Sequence, residues 1–77
     1  MTKKMLEEIL NSMAVKVLMT EQFKDKYKGN LRECPFHSEL YGMQETLKIM
    51  GVPFEYEFDD DLNYIAIKSG DIRVEIK

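Results

Sequence analysis

Residues 53–77 read PFEYEFDDDLNYIAIKSGDIRVEIK, and this stretch decides the fold. Phe54, Tyr56 and Phe58 alternate with Glu55, Glu57 and Asp59, the period of two that a half-buried strand imposes on its side chains. Asp60, Asp61 and Leu62 make a turn, and Asn63 to Lys68 continue as a second strand with Ile65 and Ile67 on one face. Ser69-Gly70-Asp71 is a tight hairpin signal. Ile72, Val74 and Ile76 then alternate with Arg73, Glu75 and Lys77 in a last strand. Three short strands joined by turns give an antiparallel meander.

Upstream of this sheet the period changes. Gly51 and Pro53 punctuate the end of a helix that Ser38 caps, with Glu39 in its first turn. Leu40, Met43, Leu47 and Met50 form its apolar stripe, and Tyr41 flanks it. Gly42 costs this helix about 1 kcal/mol relative to alanine, so either another backbone packs closely there or the cost is tolerated. Asn30 to His37 reads as a loop, with Pro35 opposing a helix through it. Before the loop, Thr2 caps a helix over residues 3–28 that Gly29 terminates. Met5, Leu6, Ile9, Leu10, Met13 and Val17 recur along it at spacings of three and four. The stripe then drifts towards Met19, Phe23 and Tyr27, which suggests a bend or break near Thr20. The expected fold is one α+β domain over 1–77, in the order α-α-β-β-β, with both helices on one face of the sheet.

The chain has 77 residues and a net charge of −3, divided as +2 over residues 1–37 and −5 over residues 38–77. Its single cysteine, Cys34, excludes an internal disulfide. With no leader pattern at the start, this favours a reducing, cytoplasmic setting. The apolar run Met13 to Met19 is interrupted by Lys16 and falls far short of the roughly 20 residues of a membrane span. Lysine outnumbers arginine nine to two, a bias that suits an AT-rich phage or bacterial genome.

Several residue groups invite a functional reading, each with a plainer one beside it. Glu55, Glu57, Asp59, Asp60 and Asp61 form an acidic comb that could dock a basic protein surface or imitate a phosphate backbone. The plainer reading is a solvated face neutralised across the sheet by Lys68, Arg73 or Lys77. Asp59, Asp61 and Asn63 copy the opening of a calcium loop, but Tyr64 and Gly70 stand where that loop needs glycine and a bidentate glutamate. Lys24, Lys26, Lys28 and Arg32 could hold a phosphate or a nucleic-acid backbone, although lysines gather at helix C-termini for dipole reasons alone. Cys34 and His37 are half a zinc site at most or, formally, a nucleophile pair, and a buried cysteine beside a capping histidine accounts for them better. No pattern calls for a cofactor, and no glycine-rich phosphate loop or nucleophile elbow occurs.

The first helix carries more apolar surface than one short helix and three short strands can cover. Val15, Leu18 and Met19 lie off its main stripe, and flexible methionines suit an adaptable contact. The reading that follows is a small non-enzymatic protein-binding module, an adaptor, regulator or inhibitor of phage or mobile-element type. It would act through that helix face, through the acidic strand, or both, on another protein or a second copy of itself. One alternative is a winged-helix-like DNA-binding regulator. It needs the break near Thr20, and an acidic wing opposes it. The other is a ligand-binding or catalytic homo-oligomer with an intersubunit site.

Overall fold

The computed structural model describes residues 2–27 and 34–76. Helix α1 is Lys3–Tyr27 and helix α2 is Pro35–Ile49; strands β1, β2 and β3 are Glu55–Phe58, Tyr64–Ser69 and Ile72–Glu75. The strands form one antiparallel sheet in the order β1-β2-β3. The chain is therefore α+β in the expected order.

Thr2 begins α1 as its sequence position implies, its Oγ1 accepting the Met5 amide at 3.1 Å. The helix then runs unbroken through Thr20 to Tyr27. Its buried face explains why no bend is needed: Leu10, Met13, Ala14, Val17 and Thr20 continue the three-and-four spacing. The stripe does not drift to Met19 and Phe23, which are half-buried and exposed. Met5, placed at the head of the stripe by spacing, is 52% exposed. The terminator Gly29 and most of the loop, 30–33, lie outside the described residues.

Helix α2 begins earlier than Ser38. Cys34 is its N-cap residue, without a side-chain cap, and Pro35 occupies the first turn. Proline is well suited there, because the missing N–H is one that a helix start leaves unpaired and its φ is already helical. Ser38 instead donates its amide to the Cys34 carbonyl at 3.2 Å, as a residue inside the helix. The other end follows the sequence reading. Gly51 has φ +74°, its N–H reaches the Lys48 carbonyl, and Val52 N–H reaches that of Leu47, the two bonds of a Schellman ending. Met50, assigned to the buried stripe, lies just beyond the helix and is 53% exposed.

Leu10, Met13, Ala14 and Val17 of α1, Leu40 and Leu47 of α2, and Ile67 and Ile72 of the sheet form one buried cluster. Both helices therefore cover the same face. Between β2 and β3 the turn places its positive φ at Gly70 (+61°), where a two-residue hairpin of type II′ needs it. Ser69 Oγ donates to the Pro53 carbonyl, fastening the α2–β1 connection to the end of β2. Lys3 pairs with Asp71 at 3.0 Å, fixing the start of α1 over the same turn.

The β1–β2 ladder slips between Glu57 and Phe58: Glu57 opposes Ala66, but Phe58 opposes Tyr64. Ile65 is the extra residue. This corrects the simple alternation, in which Ile65 shared the face of Ile67: Ile67 is fully buried while Ile65 is 38% exposed. The irregularity also brings Tyr64 against Tyr56, edge to face at 5.1 Å, and against Phe58 at 4.8 Å.

Candidate interaction surfaces

The acidic strand meets the counter-charges that its composition calls for. On the outer sheet face, Glu55 pairs with Lys68 at 3.2 Å and Glu57 with Arg73 at 2.6 Å. Arg73 also reaches Glu75 at 3.6 Å. Ala66 stands between Glu57 and Glu75 in the ladder, and the Arg73–Glu57 pair spans the central strand on that same face. That cover explains why Ala66 is fully buried on the charged face. Lys77, the other counter-charge considered, lies outside the described residues.

Asp59 is occupied differently. Its carboxylate accepts the amides of Asp61 and Asn63, both at 2.9 Å, and Asn63 Nδ2 at 3.3 Å. These bonds, led by the Asn63 amide, hold its pKa below the usual carboxylate value. The calcium-loop resemblance therefore resolves into turn chemistry, with the first would-be ligand spent on the backbone. The loop is a three-residue hairpin: Leu62 N–H bonds the Asp59 carbonyl, Asp59 N–H bonds that of Asn63, and Leu62 sits at φ +63°. Glycine usually fills that left-handed position. Leu62 is 78% exposed at the tip, next to the exposed Asp60 and Asp61 in the chain.

The helical layer has the larger apolar surface. Val15 is 59% exposed, while Leu18 and Met19 are half-buried. Between α1 and α2, on the side facing away from the sheet, a groove of about 500 Å³ is lined by Ile9, Gly42, Met43, Thr46 and Leu47. Lys16 and Glu39 pair across it at 3.2 Å. A side chain at Gly42 would meet nothing within 4 Å, so no backbone within the described chain accounts for that glycine. Phe23 and Phe36 stack at 5.9 Å where the two helices approach the 28–33 connection. The spacing of α1 alone could not reveal the groove, because its floor is shared with α2; only Gly42 hinted at it.

The remaining candidates separate. Cys34 is fully buried at the start of α2, and His37 is half-buried one turn on. No group of three or more metal-ligating side chains comes together among the described residues. Lys26 is exposed on the last turn of α1 and makes an interaction. Lys28 and Arg32, and the side chain of Lys24, lie outside the described residues. No described helix is long and apolar enough to cross a membrane. The break near Thr20 that the winged-helix alternative needs is absent from α1 among the described residues. No protein-family model matches the chain, nor does any curated protein or solved structure.

Proposed function

We propose that this chain is a non-enzymatic protein-binding module whose contact surface is the α1–α2 groove, and that its occupant is an amphipathic helix of another protein. The observation that carries this reading is Gly42. A helix-interior glycine costs about 1 kcal/mol relative to alanine, and here nothing in the described chain uses the space it leaves. That space opens on an apolar groove framed by two helices, a shape that receives the apolar face of a third. Met43 in its wall is unbranched and adaptable, and the Lys16–Glu39 pair offers one charge of each sign at its rim.

The acidic comb is a weaker contact on this reading. Glu55 and Glu57 already hold cations and Asp59 holds its own turn, so a basic partner would have to displace bonds already made. Asp60 and Asp61, exposed beside Leu62, are the part of the comb best placed to contribute.

Paired variants test the choice of surface. Gly42→Leu fills the groove while leaving the buried cluster alone, and Asp60→Lys with Asp61→Lys reverses the tip. Tagged chain is used to capture partners from host lysate, with circular dichroism confirming the fold of each variant. Loss of capture in Gly42→Leu, with capture kept in the tip variant, is the expected result. Capture kept in folded Gly42→Leu but lost in the tip variant would transfer the function to the acidic hairpin.

A further inference from the structure

The sheet has two edges, and they are built differently. Strands β1 and β3 each pair with β2 on one side, and no strand of the described residues lies on the other. An open edge is a template for pairing with another chain, and proteins defend it with bulges and with charges that repel a second strand. β1 has both defences. Its ladder slips after Glu57, and Glu55, Glu57 and Asp59 would oppose one another in an antiparallel pairing of β1 with itself. β3 has neither. Its register against β2 is regular from Ile72 to Glu75, and its charges alternate in sign. Residues 71–77 read DIRVEIK. This segment is self-complementary about Val74: Arg73 mirrors Glu75, Ile72 mirrors Ile76, and Asp71 mirrors Lys77.

The backbone follows the same symmetry. Ile76 N–H bonds the Ile65 carbonyl at 2.9 Å, so Ile76 turns its polar groups towards β2. That direction alternates along a strand. Ile72 and Val74 therefore face β2 as well, while Arg73 and Glu75 present their N–H and C=O groups to the open edge. A second β3, antiparallel and centred on Val74, places Arg73 opposite Glu75 of the second copy, where the two residues exchange hydrogen bonds. The two-fold axis repeats the exchange. Sliding to the next hydrogen-bonded register either way sets Arg73 against Arg73 or Glu75 against Glu75, so charge selects one register. Rows across the outer face fit it too. Glu55, Lys68 and Arg73 lie side by side, as do Glu57, Ala66 and Glu75. The second copy continues the first row with Glu75 and the second with Arg73, the opposite sign each time. On the inner face Val74 meets its own copy and Ile72 meets Ile76. Val74 and Ile76 are only half-buried in the single chain.

We propose that β3 is a self-association edge: two copies of this chain pair their third strands antiparallel about Val74, joining two three-stranded sheets into one. This contact shares no residue with the α1–α2 groove.

Sedimentation velocity over a concentration series is the test, with circular dichroism confirming the fold of each variant. The wild type is expected to pass from one chain to two. Arg73→Glu and Glu75→Arg each set like charges opposite one another, and each alone is expected to weaken association at least tenfold. Mixed in equal amounts they are expected to associate again, because each supplies the sign that the other lacks. Should Arg73→Glu fail to fold beside Glu57, Glu75→Pro serves instead. It removes an amide at the open edge and no ladder bond to β2, and is expected to leave the chain single. A wild type that stays single at about 1 mM would overturn the proposal. So would dimers that survive in folded Glu75→Pro, folded reversal variants that fail to associate when mixed, or dimers that Gly42→Leu abolishes.

Discussion

At the scale of single residues, three positions hold a residue where the local environment would accept something else. Gly42 is the simplest. Its Cβ position is open, so Gly42→Ala should stabilise the chain by about 0.5–1 kcal/mol through helix propensity alone, measured as a rise in the urea midpoint at constant slope. A loss of stability would mean that the open space is not there. Leu62 holds a left-handed backbone with most of its side chain in water. Leu62→Gly should therefore gain about 1 kcal/mol from relief of that conformation; no gain would mean that the tip is relaxed. Tyr56 gives a pH signature. Its phenol ionises at 10.0 when unperturbed but near 12 when folded. The unfolded chain then ionises first, so stability is unaffected below about pH 10 and falls between pH 10 and 12. Tyr56→Phe should flatten that alkaline arm in thermal melts, and an unchanged arm would contradict the burial of the hydroxyl. Of the three, Gly42 alone stands out in the sequence, as a glycine inside a helix. Leu62 and Tyr56 each fit their pattern, and only the surroundings show the misfit.

Elements were more legible than their edges. The alternation from Phe54 to Ile76 was enough to place three strands, because a strand with one wet face must repeat every two residues. The slip after Glu57 was not legible, since it inserts a single residue without disturbing the apolar content. The start of α2 was misread for a related reason. Proline was weighed as a breaker, but a helix breaker in mid-helix is a good starter at its first turn. Ser38 resembled a cap only because the helix was assumed to begin after Pro35. In the sheet, the Arg73 side chain pairs with Glu57 across the strand that carries the buried Ala66, and its stem can cover that alanine. Arg73→Met should keep the cover and lose less stability than Arg73→Ala, which uncovers as well as unpairs. Equal losses in chemical denaturation would assign the whole effect to the charge. The turn carboxylates add an acid dependence. Asp59 and Asp71, with pKa values held low by their turn amides and by Lys3, support the fold above the normal carboxylate range. That support is lost as pH falls through their lowered values, so the acid arm of a melting curve should be shallower in Asp59→Ala.

On the scale of the whole molecule, a thin two-layer domain has one core and two outer surfaces of different character. The outer sheet face is a lattice of paired charges, with Glu55, Glu57, Lys68 and Arg73 answering one another. The outer helical face has an apolar groove and exposed Met5 and Val15. The sequence already indicated this asymmetry through the excess apolar surface of α1, but Leu18 and Met19 are half-covered by the chain itself. On the proposed reading, the contact falls on the seam with α2 more than on the far side of α1. The central claim is therefore positional, and site-specific photo-crosslinking tests it most directly. A photoreactive residue replaces Thr46 in the groove or, in a separate chain, Glu75 on the charged sheet. The expected result is a covalent adduct to a helical segment of another protein from position 46, absent from position 75 and abolished by Gly42→Leu. Adducts from position 75 alone, or adducts from position 46 that survive Gly42→Leu in a folded chain, would contradict the account.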